Sequence, residues 1–143
     1  HYPVNSIKEI KNPWDKKWIK TGDKLISLGA IEHKVLRKLN EPRIHFAINC
    51  ASYSCPKLQN RAYTLDNLES MLEEATKTFV NDPEKNRITA SAVELSKIFK
   101  WFKSDFTKNG SLEDFINRYS IESINAGMNV KFIEYDWSLN DAK

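Results

Sequence analysis

Two short segments with adjacent apolar residues near the start of the chain flank a polar turn. Residues 18–20 and 24–26 are β-prone, and Thr21-Gly22-Asp23 lies between them. A Gly-Asp turn between β-prone segments predicts a small hairpin. The apolar residues that follow have helical spacing.

A helix is predicted over residues 28–39, with Ser27 as its N-cap. Asn40-Glu41-Pro42 ends it, because the residue before a proline disfavours helical geometry. Four apolar residues recur at helical spacing and predict one buried stripe: Leu28, Ile31, Val35 and Leu39.

Residues 44–48 place a large apolar side chain at every second position. Ile44, Phe46 and Ile48 therefore predict the buried face of a strand. His45 then lies on the opposite face. The strand runs into a loop over 49–63. Thr64 is expected to cap a long helix over 65–81, whose inner face carries Leu65, Leu68, Leu72, Ala75 and Phe79.

The remaining elements complete the order hairpin, helix, strand, helix, strand, two helices, strand. They are an extended segment over 87–95, an aromatic helix with Phe99 and Phe106, a short helix Leu112–Tyr119 and a strand Val130–Trp137. This order predicts an α+β fold, with a small mixed sheet packed by about four helices. The 143 residues fit a single compact domain spanning 1–143.

Composition narrows the classes of function. The 22 basic and 19 acidic side chains nearly balance, and the lysines are scattered, which predicts a solvated surface and no nucleic-acid partner. No apolar run approaches the roughly 18 to 20 residues of a membrane span, so no transmembrane segment is expected in this chain. Without a Gly-rich phosphate loop, the sequence indicates no cofactor.

Candidate chemistry concentrates in the loop after residue 48. Both cysteines of the chain, Cys50 and Cys55, lie there, close to His45. Four interpretations stay open: small buried residues, a disulfide, a thiol nucleophile with a histidine partner, or a zinc site of His45, Cys50 and Cys55 with a fourth ligand. Familiar zinc modules repeat Cys-x2-4-Cys pairs, which this chain does not do.

The nucleophile interpretation assigns a role to each residue type. Cys55 is the first choice of nucleophile and Cys50 the second, with His45 as base. Asp136, at the end of the last strand, or Glu32 would orient the imidazole. Asp136 alternatively caps a strand-end turn through its own backbone. The residues expected to bind a peptide or small-molecule substrate are His33, Arg43, Asn49 and Asn140.

Four ordered motifs resemble one known family. They are Leu28–His33, Arg43–Ala47 with Ser54-Cys55-Pro56, Leu95–Phe102, and Tyr135–Asn140. In this order they resemble the bacterial form of the domain of unknown function 547, over nearly the whole chain. The resemblance implies a fold and a set of positions that includes Glu32 and His33, but no reaction.

The resemblance also implies a wider context. Family members carry an Asn-rich helix before the segment that corresponds to Tyr2-Pro3, so 1–143 is expected to be the larger, C-terminal part of a longer domain. Many bacterial members look exported, which implies a periplasmic or cell-surface location, with a cytoplasmic one as the alternative. The family also occurs beside other modules.

Three functions are therefore weighed, and whether the protein is an enzyme stays open. The first is a thiol-dependent hydrolase or acyl/peptidyl transferase that uses a Cys-His pair. The second is a non-catalytic protein-interaction domain held by a Cys50–Cys55 disulfide. The third is a metal-binding domain.

Overall fold

The hairpin forms where the sequence places it, and the helix after it begins at the predicted residue. The computed structural model describes residues 3–89, 91–125 and 127–141. Strand β1 (Ile19–Thr21) pairs antiparallel with β2 (Lys24–Ile26) around Gly22, whose φ of 58° favours glycine. Helix α1 (Leu28–Lys34) begins after Ser27, whose hydroxyl accepts a hydrogen bond from the Ala30 amide.

The predicted buried stripe on this helix is wrong. The α-helix stops at Val35, and a 3-10 turn over Leu36–Leu39 follows, so the phase of the helical spacing changes. No residue of α1 is buried, and Val35 and Leu39 are 51% and 65% exposed. Leu28 and Ile31 border a cavity and do not join the core.

The predicted strand over 44–48 is also wrong, because these residues form helix α2 (Ile44–Ala47). The His45 amide donates to Pro42 O and the Ile48 amide to Ile44 O. Asn40, with a φ of 56°, ends the preceding 3-10 turn, and Pro42 lies in the turn that leads into α2. A short apolar run does not distinguish a strand from a buried helical turn.

Helix α3 (Leu68–Val80) begins three residues later than the sequence indicates. Leu65 lies before it and is 96% exposed, whereas Leu72, Ala75 and Phe79 are buried as expected. Asn67 takes the N-cap position, and its Oδ1 accepts a hydrogen bond from the Thr64 amide. Thr64 thus contributes to the turn before the helix and does not cap it.

The small mixed sheet has three strands, because the extended segment predicted over 87–95 forms two of them. Strand β3 (Arg87–Ile88) pairs antiparallel with β4 (Val93–Ser96), and β4 pairs parallel with β5 (Val130–Ile133). Three helices occupy the crossover between β4 and β5: α4 (Lys97–Trp101), α5 (Lys103–Phe106) and α6 (Leu112–Asn117). The predicted α+β class is confirmed.

Phenylalanine side chains form the centre of the core. Phe46 of α2 is 1% exposed, and its ring centroid lies 5.0 to 6.3 Å from those of four other phenylalanines: Phe79, Phe99, Phe106 and Phe115. Ring pairs at such distances add to the free energy of burial. This packing fixes α2, and with it the neighbouring His45.

Candidate functional site

A cavity of about 530 Å³ opens between α1, the cysteine loop, α4 and the C-terminal segment. Its wall is mostly apolar and carries five large aromatic side chains: Trp14, Trp101, Phe102, Tyr135 and Trp137. A concave apolar wall with a few convergent polar groups is typical of a small-ligand site. The polar side chains come from α1, α2 and the cysteine loop, with Asp15 from the segment before β1 and the Tyr135 hydroxyl from the C-terminal segment.

Two sulfurs form part of this wall. Cys50 and Cys55 are joined by a disulfide, and both residues border the cavity. Cys50 is partly exposed, whereas Cys55 is 7% exposed. In this form neither sulfur is a thiol, so a sulfur nucleophile requires the bond to be reduced.

Asn49 holds the disulfide loop in shape. Its Nδ2 donates to Pro56 O at 2.8 Å, and its Oδ1 accepts from the Ala51 amide at 2.9 Å. Ala51 has a φ of 61°, in the left-handed region that alanine avoids. The Asn140 amide donates to Ala51 O and ties this bend to the C-terminal segment.

Hydrogen-bond donors contact both sulfurs. The Cys50 amide donates to Cys55 Sγ at 2.7 Å. Ser52 Oγ and Tyr135 Oη lie 3.0 and 3.3 Å from Cys50 Sγ. A disulfide sulfur has no hydrogen, so the Tyr135 hydroxyl is the donor in its contact with Cys50 Sγ, and it accepts in turn from Ser52 Oγ at 3.0 Å. Burial raises the pKa of the Tyr135 phenol, which therefore stays protonated near neutral pH.

His45 is held at the cavity by a carboxylate. Its Nε2 lies 2.9 Å from Asp105 Oδ2, and its ring stacks on Phe102 with centroids 3.9 Å apart. Arg37, and then His45, hold the pKa of Asp105 at about 2, so the carboxylate is ionised and only accepts hydrogen bonds. The hydrogen of a neutral His45 must then be on Nε2.

Burial lowers the pKa of His45, although Asp105 opposes that shift. The imidazole is therefore neutral at pH 7. Within the described part of the chain, no hydrogen bond reaches its Nδ1. His45 thus borders the cavity with Nε2 fixed by Asp105 and Nδ1 unprotonated, and its side chain is 2% exposed.

Arg37 links this pair to the cavity rim. It binds both oxygens of Asp105, with Nε 2.6 Å from Oδ2 and Nη2 3.0 Å from Oδ1. Its Nη1 lies 3.4 Å from His33 Nδ1. The two-pronged contact restrains the carboxylate and, through it, the plane of the His45 ring.

Six of the nine sequence-predicted site residues border this one cavity: Glu32, His33, His45, Asn49, Cys50 and Cys55. Their chemical roles stay predictions. No hydrogen bond within the described residues joins His45 to either sulfur.

The other three predicted residues lie elsewhere. Asp136 Oδ1 accepts from the Ser138 amide and hydroxyl at 2.9 and 2.7 Å, which is the strand-end turn weighed as its alternative. Arg43 pairs with Glu41 and Glu69 beside a separate polar cavity of about 380 Å³. Asn140 borders a third cavity.

Sequence reasoning missed the carboxylate that contacts His45. Asp105 lies between Phe102 and Phe106 on a helix assigned to the core, and its side chain is 13% exposed. The one acidic residue in this aromatic helix could have indicated a buried ion pair or hydrogen bond, since a buried carboxylate requires a partner. Ser52 and Tyr135 were missed because nothing local marks them.

Two further classes of site, a metal centre and a membrane span, are absent from the described ranges. No group of three or more His, Cys, Asp or Glu side chains is placed to hold a metal ion. No helix in those ranges combines the length and apolarity needed to cross a bilayer.

Comparison with known proteins gives one match. The sequence model of the family described as "Protein of unknown function, DUF547" matches residues 2–80, more than half of the chain. The motifs at 95–102 and 135–140 lie beyond the matched segment. No curated protein and no solved structure matches the chain.

Proposed function

The chain belongs to the DUF547 family, whose description assigns no reaction, and we propose that its cavity is the active site of a thiol-dependent hydrolase or acyl/peptidyl transferase. One observation carries the proposal: an imidazole oriented by an ionised carboxylate borders the same cavity as both sulfurs. A base positioned by a third group beside a nucleophile is the arrangement that such catalysis needs. The active form is the one with the Cys50–Cys55 bond reduced.

Cys55 is the proposed nucleophile, and a backbone amide already contacts its sulfur. The Cys50 amide, 2.7 Å away, would stabilise a thiolate there and lower the pKa of the thiol. The thiolate adds to a substrate carbonyl, and the proton taken by His45 Nδ1 passes to the leaving group. Water or an acceptor amine then releases the acyl group from the thioester.

The wall of the cavity favours a substrate with an apolar or aromatic portion. Trp14, Trp101 and Trp137 would contact that portion, and Glu32 and His33 provide polar groups beside it. A peptide side chain or a small amphipathic molecule fits this description.

Alkylation of the reduced protein tests the proposal. After reduction and removal of the reductant, iodoacetamide should modify one cysteine faster than free cysteine at pH 6 to 7. Asp105→Asn should slow this reaction about tenfold, which corresponds to one pKa unit of thiolate formation. The physical reason is that an amide at position 105 can donate to Nε2 and so move the ring proton to Nδ1. Quenched time points are read by peptide mass spectrometry.

Two matched variants complete that experiment. Asp66→Asn changes an exposed carboxylate outside the cavity and should leave the alkylation rate unchanged. Asp136→Asn tests the other candidate orienting group. A reduced protein that reacts no faster than free cysteine at these pH values would rule out the nucleophile.

The disulfide itself favours a second candidate, a non-catalytic interaction domain with a structural bridge. The bridged loop is tied to the C-terminal segment by the Tyr53 amide, which donates to Ser138 O at 2.7 Å, and by Asn140. Structural bridges persist in oxidising compartments, so this candidate agrees with a periplasmic or cell-surface location.

Removing the bridge measures its structural role. The double variant Cys50→Ser/Cys55→Ser should lower the free energy of unfolding by about 2 kcal/mol, the entropic value for a short closed loop. Urea unfolding followed by tryptophan fluorescence gives the value. Intact mass before and after reduction is the control, because a bridge adds two hydrogens on reduction. An unchanged unfolding free energy would contradict the structural role.

A further inference from the structure

The Cys50–Cys55 disulfide differs from a structural bridge in where it lies. Both residues border a cavity large enough for a small molecule, with Cys50 partly exposed and Cys55 sheltered. Thiol–disulfide exchange needs one sulfur that an incoming thiolate can reach and another that leaves. The unequal exposure of the two cysteines meets that requirement.

The disulfide form already has hydrogen bonds that would stabilise the sulfurs after reduction. The Cys50 amide contacts Cys55 Sγ, and the Tyr135 hydroxyl contacts Cys50 Sγ while accepting from Ser52. Donors on a sulfur stabilise its thiolate, and a more stable thiolate is a better leaving group. These contacts therefore favour opening of the bond at either sulfur.

Backbone strain in the segment that the disulfide closes also favours opening of the bond. Ala51, with its φ of 61°, lies in the segment that the disulfide closes. An alanine has an unfavourable steric contact in this conformation that a glycine does not have. Opening the bond removes one of the constraints that hold Ala51 there, so reduction relieves strain. Strained or exposed disulfides are the labile ones.

We propose that Cys50 and Cys55 form a redox centre that exchanges electrons with low-molecular-weight thiols in the cavity. A small-molecule thiolate attacks Cys50 Sγ, the S–S bond breaks, and Cys55 leaves as a thiolate. A second small thiolate attacks the small-molecule sulfur of the mixed disulfide and releases Cys50. Two small thiols lose two electrons and two protons to become a disulfide. The protein gains those electrons and protons, so Cys50 and Cys55 become thiols. A small-molecule disulfide reverses the sequence.

This activity goes beyond the proposed acyl chemistry, because it transfers electrons and needs no carbonyl substrate. Reduction can therefore be observed whether or not the freed thiol is a nucleophile. A reduced protein without enhanced alkylation at pH 6 to 7 would contradict the nucleophile only. A protein that does not exchange with thiols would contradict the redox centre only.

The test equilibrates the folded protein with glutathione and glutathione disulfide over a series of ratios. Samples are quenched in acid, alkylated in denaturant and weighed by intact mass spectrometry. We expect the dithiol form to replace the disulfide within the series, with a mixed disulfide of one glutathione at intermediate ratios. Structural disulfides resist reduction by glutathione. A protein that stays fully oxidised at every ratio, while its denatured form is reduced, would overturn the proposal.

Two variants test whether the backbone strain at Ala51 contributes to reduction of the disulfide. Ala51→Gly removes the steric penalty and should shift the equilibrium toward the disulfide about fivefold. Ala62→Gly, in an exposed loop outside the ring, should leave the equilibrium unchanged. An Ala51→Gly protein that is reduced as easily as the parent would overturn the role assigned to the strain.

Discussion

Replacing Phe46 with alanine lowers the free energy of unfolding by about 4 kcal/mol, the expected loss for a fully buried aromatic side chain. The Phe46 ring is 1% exposed and contacts four other phenylalanine rings, so its removal leaves a cavity that the surrounding helices cannot fill. Urea unfolding followed by tryptophan fluorescence measures the loss. Phe46→Leu, which keeps most of the apolar volume, should lose less.

Leu65→Ala is the matched control for that change. Leu65 is 96% exposed, so its truncation should alter the free energy of unfolding by no more than about 0.5 kcal/mol. Equal losses for Phe46→Ala and Leu65→Ala would show that Phe46 is not at the centre of the core.

Replacing Asp105 with alanine should cost about 3 kcal/mol of unfolding free energy at pH 7, because it removes one partner of a largely buried charge pair. Arg37 would keep its charge without the two-pronged contact, and His45 Nε2 would lose its acceptor. The same urea experiment measures the loss. Asp66→Ala, an exposed carboxylate outside the pair, serves as control and should change little.

The pH dependence of stability gives a second measurement on Asp105. Its pKa is about 2 in the folded protein, against an ordinary value of 3.8, so folding favours the ionised carboxylate. Its contribution to stability is fully present above pH 4 and is lost as the pH falls toward about 2. Asp105→Ala should therefore lose less stability than the parent over that interval. Parallel pH curves for the two proteins would contradict the role assigned to the pair.

Local chemistry near turns and helix ends could be predicted from the sequence. Ser27 caps its helix and Gly22 provides the positive φ of the hairpin turn, as residue type alone indicates, although Thr64 does not cap α3. These features depend on a few neighbouring residues. The α+β class follows from their order along the chain.

Features decided by packing could not be predicted in this way. Residues 44–48 alternate as a strand does, yet Phe46 fits among the rings of other helices only from a helical turn. The pairing of His45 with Asp105 joins residues 60 positions apart, and no local pattern marks such a contact. Six of the candidate residues border one cavity, because they lie in short segments that the fold brings together, and their chemical roles stay predictions.

His45 and Phe46 are consecutive residues of one helical turn, and one borders the cavity while the other fills the core. A substitution that repacks the phenylalanine cluster also displaces the imidazole, since adjacent residues of one short helical turn move together. The stability of the core and the position of the His45 side chain are therefore coupled at this turn. A change that alters one of them has to be compensated for its effect on the other.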